Sequence, residues 1–137
     1  DKASKAMLEN IIAKHCTGEF LLFVEPNGTL KPNAIADSFN LANATNSDII
    51  LFEWLNKTKK GLEPLIIKYK LRNEHRLLVQ DVLSNRQPAQ LWNKLFKRSL
   101  WYGIDLKQTS EQTVKSIFQK ANKVFYLNKA ECIHVVS

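Results

Sequence analysis

The chain has 137 residues, 45% hydrophobic and 24% charged, the size and balance of one globular domain with a single core. No apolar run approaches the roughly 18–20 residues of a membrane-spanning helix and no secretory signal is visible, so no membrane partner is expected. The net charge of +7 is uneven: residues 1–56 carry four lysines and seven acids, residues 57–137 sixteen Lys/Arg and six acids, which points to an acidic partner for the second half.

The sequence opens on Asp1 rather than Met, so residues 1–137 are expected to be one domain from the C-terminal part of a longer protein. Ala3–Cys16 carries Ala6, Met7, Ile11 and Ile12 on one broad side and predicts a helix, stopped at Thr17-Gly18. Phe20–Val24 is short and wholly apolar, a buried strand. Pro26-Asn27-Gly28 makes a turn, after which Thr29–Lys31 pairs back as a short second strand. Pro32 precedes a short helix over Asn33–Ala42. Asp48 can cap a helix through Lys57, with Leu51, Trp54 and Leu55 aligned, although Ile49–Leu51 leans towards strand.

Leu65–Leu71 alternates from Ile67 onward as a strand does, and Asn73 can cap a helix over Glu74–Ser84. Pro88–Tyr102 repeats apolar residues at Leu91, Trp92, Leu95, Phe96 and Leu100, a helical stripe ended by Gly103. Thr109-Ser110-Glu111-Gln112 opens a second helix with Val114, Ile117, Phe118 and Ala121 on one face. Val124–Leu127 and Cys132–Val136 are β-type runs joined by Asn128–Glu131, a hairpin. The expected class is α+β: a winged helix (helix-turn-helix plus β-hairpin) with additional N-terminal helices and short strands.

Catalytic signatures are sparse. His15, His75 and His134 are scattered, and neither GxSxG, GxGxxG nor a P-loop is present. Glu25, directly after an apolar strand, is the nearest hint of a nuclease-type acid, but Pro26 breaks the spacing such a site needs. Zinc needs four ligands at short spacings, which Cys16 and Cys132 with their neighbouring histidines do not supply. No catalytic residue, metal, cofactor or small-molecule substrate is therefore expected, and the chain reads as a non-enzyme.

Two binding readings remain. The helix pair exposes Lys94, Lys97, Arg98, Lys115 and Lys120, suited to phosphates and to weak, largely non-specific DNA contact. Its second helix lacks an arginine for bidentate base contacts. The aromatic surplus instead favours a protein interface, with Phe20, Leu22, Trp54, Trp101 and Tyr102 as dimer anchors.

The run LWNKLFKRSLWYGIDLKQTSEQTVKSIFQKANKVFYLNKAECIHVVS, with its winged-helix pattern and Asn/Lys/Ser-rich composition, resembles the end of a budding-yeast-type silent information regulator. That family is related to the large origin recognition complex subunit and ends in a winged helix. The resemblance implies a homodimerisation module of a nuclear, chromosome-associated silencing protein. It would promote the spread of silent chromatin, with other silencing proteins and nucleosomes as partners of the full-length chain.

Overall fold

The computed structural model describes residues 18–64, 73–105 and 107–136; the helix expected over Ala3–Cys16 and the strand expected over Leu65–Leu71 lie outside the described residues. The architecture is mixed α+β. Six strands form one sheet: β1 (Phe20–Leu22), β2 (Thr29–Leu30), β3 (Ile49–Thr58), β4 (Gly61–Pro64), β5 (Lys94–Lys97) and β6 (Val124–Val135). Three described helices cover it: α1 (Ala34–Thr45), α2 (His75–Leu83) and α3 (Ser110–Lys120).

The sheet order is β1-β5-β3-β6-β2. β3 is its centre, parallel to β6 along nearly its whole length and antiparallel to β5 on the other side. Beyond β5 the same side of β3 is taken by β4, the return strand of a hairpin. β1 is antiparallel to β5, so β1, β3 and β6 all run in one direction.

Ile49, Ile50, Leu51 and Phe52 of β3 are all buried, as a central strand covered on both faces requires. Alternation sends Ile49 and Leu51 with Phe96 and Val124 against Leu78 and Val82 of α2 and Val114, Ile117 and Phe118 of α3. Ile50 and Leu95 face the other way and meet Ala42 of α1, with Phe20, Leu22, Phe125 and Leu127 around them. The result is a helix–sheet–helix sandwich.

Local chemistry explains the helix ends. Thr109 and Gln112 form a reciprocal capping box at the start of α3. α1 stops at Asn46, which takes a left-handed conformation (φ 54°) while the Ser47 N–H donates to the Ala42 carbonyl. Ahead of α2, Asn73 substitutes for a neighbouring strand: its Oδ1 accepts from Tyr126 N at 2.6 Å and its Nδ2 donates to Tyr126 O at 3.2 Å. Val124 N likewise donates to His75 Nδ1 at 3.0 Å. These side chains satisfy backbone groups at the start of β6 that no strand among the described residues pairs with on that side.

Three sequence expectations are corrected. The segment after Asp48 is strand β3, not a helix; the β-branched pair Ile49–Ile50 governs it, and the stretch is buried on both faces. Pro88–Tyr102 is not the first helix of a helix-turn-helix. It is an irregular strap, then β5, then a 3-10 turn at Arg98–Trp101. The helical spacing arises because the strap sends Leu91 and Trp92 to opposite sides and β5, with two covered faces, buries the consecutive Leu95 and Phe96.

The expected hairpin at the end is one strand, β6. Its polar tetrapeptide Asn128–Glu131 is absorbed as an irregularity, with Leu127 opposite Phe52, Ala130 opposite Glu53 and Cys132 opposite Trp54. With no first helix and no wing, the winged-helix arrangement is not formed. The short strand at Thr29 is present, but it pairs with β6 rather than back onto β1.

Candidate functional site

β1 runs out of the sheet into a turn over Glu25–Gly28, closed by the Gly28 N–H donating to Glu25 O at 3.0 Å. Gly28 is closely approached: a Cβ there would lie 3.2 Å from Glu25 Cβ, so the turn would have to give by a few tenths of an ångström. β2 then pairs Thr29 with Ile133 and Leu30 with Cys132, which sets the turn beside the second half of β6.

That juxtaposition joins residues far apart in sequence. Glu25 Oε1 lies 2.5 Å from His134 Nδ1, and both side chains are about one-quarter exposed. The His134 ring stacks on Trp92 with centroids 4.6 Å apart and planes 8° from parallel. Trp54 meets Trp92 edge-on at 4.8 Å, and its indole N–H donates to Asn56 Oδ1 at 2.9 Å. Between the turn and these rings is a shallow cleft of about 10 Å³ whose lining includes Phe23, Glu25, Gly28, Leu30, Trp92 and Cys132. It sits at the carboxyl end of β1, where open α/β sheets place their ligands.

Two groups near the cleft have displaced proton affinities. Burial pushes the Cys132 thiol up to about 12, the nearby Glu25 charge adding to the effect, so it is not a nucleophile at neutral pH. Lys94 is wholly buried, and that burial lowers its ammonium to about 7. A second cluster lies at the irregularity of β6. Glu131 is buried with neither carboxylate oxygen hydrogen-bonded as an acceptor, and burial raises it to about 7. The neighbouring Asp37 acts in the same direction on Glu131, as expected of two carboxyls sharing a proton, while Lys129 and Lys31 oppose it. Asp37 is held below its ordinary value chiefly by the ammonium of Lys129, 2.6 Å away.

The residues singled out from sequence do not converge. Trp101 is buried against Phe23 and Phe96 on the α2–α3 side, whereas Trp54 is buried on the other side of the sheet. Phe20 and Leu22 are half-buried, Phe20 edge-on to Phe39 at 5.7 Å. Tyr102 is exposed, its hydroxyl accepting from Arg98 Nη1 at 2.7 Å.

Most of the basic set is engaged within the fold. Lys94 is buried, Arg98 Nε donates to Gly18 O at 2.7 Å, and Lys115 pairs with Glu111 at 3.1 Å. Lys120 donates to the carbonyls of Leu100 (2.8 Å) and Tyr102 (2.6 Å). Lys97 is the half-buried last residue of β5. Sequence reasoning set Glu25 aside because of Pro26 and gave Trp92 and His134 no shared role. An acid directly after an apolar strand, followed by Pro-Asn-Gly, was the available signal.

No family model matches this chain, and no curated protein matches it. Solved structures do share its fold. S. aureus TarS 1–349 in complex with UDP-GlcNAc aligns at TM-score 0.73 and 17% identity, over 93% of this chain and 38% of that one. The complex of TarS 1–349 with UDP aligns at 0.71 and 19% identity, over 93% of this chain and 39% of that one. Against a longer TarS chain the score is again 0.71, over 94% of this chain and 24% of that one. The chain therefore spans well under half the length of these structures, and at such identities the likeness establishes the fold.

It overturns the expectations of a chromatin-silencing dimerisation module and of a DNA-binding winged helix. It also overturns the reading of the chain as a non-enzyme, because solved structures sharing its fold include TarS in complex with UDP-GlcNAc and with UDP.

Proposed function

We propose that this chain is part of a glycosyltransferase that uses a UDP-sugar, and that the Glu25–Trp92–His134 cleft receives part of the donor or of the accepting hydroxyl compound. The observation that carries the proposal is the fold shared with TarS in complex with UDP-GlcNAc over 93% of the chain. The position of the cleft at the carboxyl end of β1 supports it.

The chemistry fits the side chains present. Glycosyl transfer breaks the bond between the sugar's anomeric carbon and the diphosphate and forms one to an acceptor oxygen, whose proton must leave. Glu25 is a carboxylate at the cleft able to take that proton or to hold a sugar hydroxyl, and His134 fixes its orientation. The Trp92 ring offers an apolar wall for a sugar face. With room for about one water, about 10 Å³, the cleft lies far below the roughly 300–1,000 Å³ of pockets that enclose a whole ligand. A nucleotide sugar would accordingly touch it with only part of its surface.

The test uses the full chain with UDP-GlcNAc as probe, reading saturation transfer to the ligand by NMR and UDP release by a coupled assay. The expected outcome is binding and UDP release, with Glu25→Gln lowering the release rate by about 100-fold or more while UDP still binds. Absence of saturation transfer to both UDP-GlcNAc and UDP would overturn the proposal.

A further inference from the structure

Lys94 is fully buried on β5, and no carboxylate among the described residues pairs with it. Its ammonium donates instead to two neutral oxygens, the Pro88 carbonyl at 2.9 Å and Asn93 Oδ1 at 2.5 Å. These acceptors are the first and last residues of the strap that replaces the expected helix. Asn93 is itself fastened to the centre of the sheet, its Nδ2 donating to Phe52 O at 3.1 Å and its carbonyl accepting from Phe52 N at 3.1 Å. Between the two anchored ends the strap sends Leu91 into the α2–α3 core and Trp92 to the opposite side, against Trp54 and His134.

Filling space does not account for a lysine here. A buried charge without a counter-ion is costly, and an apolar residue of similar volume generally serves stability as well or better. What an apolar residue lacks is the set of donors that reach both ends of the strap at once. A cation also holds neutral acceptors more strongly than a neutral donor does.

We propose that Lys94 is a positioning residue for the cleft: its ammonium closes the Pro88–Asn93 strap into a ring and thereby sets the plane of Trp92 against His134. Lys94 touches no ligand itself. Its effect on the donor rests on the glycosyltransferase reading of the cleft, whereas its effect on Trp92 is measurable with no ligand present.

Lys94→Met removes the donors at nearly constant length. In the full chain, folded by far-UV circular dichroism, this variant is expected to shift or broaden the Trp92 indole N–H resonance, assigned through Trp92→Phe. It should also weaken UDP-GlcNAc binding by about tenfold to a hundredfold, the scale of a small misplacement in a site. Lys94→Arg, which keeps the cation, should recover most of both. A folded Met variant with the Trp92 resonance and the affinity unchanged would sink the proposal. Where the Met variant does not fold, Lys94→Leu, likewise without donors, is read in the same way. A wild-type chain that ignores UDP-GlcNAc removes the donor reading, and the Trp92 resonance then decides the part of Lys94 alone.

Discussion

The two faces of the sheet solve different problems. Under α2 and α3 the core is a continuous set of aliphatic and aromatic side chains, Ile49, Leu51, Leu78, Phe96, Ile117 and Phe118 among them, with Tyr126 packed against it. Around Phe52, Trp54 and Cys132 the apolar material is thinner, and charged groups stand at its border: Glu131, Glu25 and His134. The first region buries what folding favours. The second retains groups that burial penalises, the usual sign that a site rather than stability has shaped a region.

Breaking the first region should have the largest effect. Phe118 is fully buried and meets Phe96 edge-on at 6.5 Å. Phe118→Ala is expected to lower unfolding free energy by about 3–5 kcal/mol in chemical denaturation, as large-to-small core substitutions do. A loss under 1 kcal/mol would mean that this face is not the main core.

The second region should respond to pH in the opposite sense from an ordinary carboxylate. Glu131 binds its proton more tightly in the folded chain, near 7, than at the usual glutamate value of 4.5. Its contribution is therefore fully present below the unfolded value, and stability declines as pH rises towards and through 7. Glu131→Gln should flatten that decline and leave the protein more stable than wild type at pH 8, by about 1–3 kcal/mol if the unpaired buried carboxylate is relieved in full. Parallel melting curves for the two proteins from pH 5 to 8 would refute this. The smallest effect is expected at the surface of α3, where the Lys115–Glu111 pair is one helical turn apart and partly exposed. Lys115→Ala should change stability by no more than about 0.5 kcal/mol; a larger loss by denaturation would show a role beyond that pair.

The contrast also explains what could be read in advance. α3 was legible because every signal lay within its own residues: the Thr109–Gln112 capping box and the spacing of Val114, Ile117 and Phe118. α1 and α2 were legible from apolar spacing without capping: neither has a side-chain N-cap, and Asn73, the expected cap of α2, bonds to Tyr126 instead. β5 misled because burial on both faces mimics a helical stripe, and Lys94 looked like one more surface lysine in it. The cleft was illegible for a different reason. Glu25 and His134 lie at opposite ends of the chain, and only the pairing of β2 with β6 brings them together. No local pattern encodes a contact of that range.

The parallel pairing of β3 with β6 carries a consequence for how the chain is made. Ile49 and Val124 are register partners, so the most apolar strand acquires its second neighbour only after nearly all intervening sequence has been synthesised. Until then Ile49–Phe52 presents unpaired peptide groups along an oily edge, the kind of strand that recruits other chains. Nascent or truncated forms lacking residues 124–135 should thus depend on chaperones or aggregate.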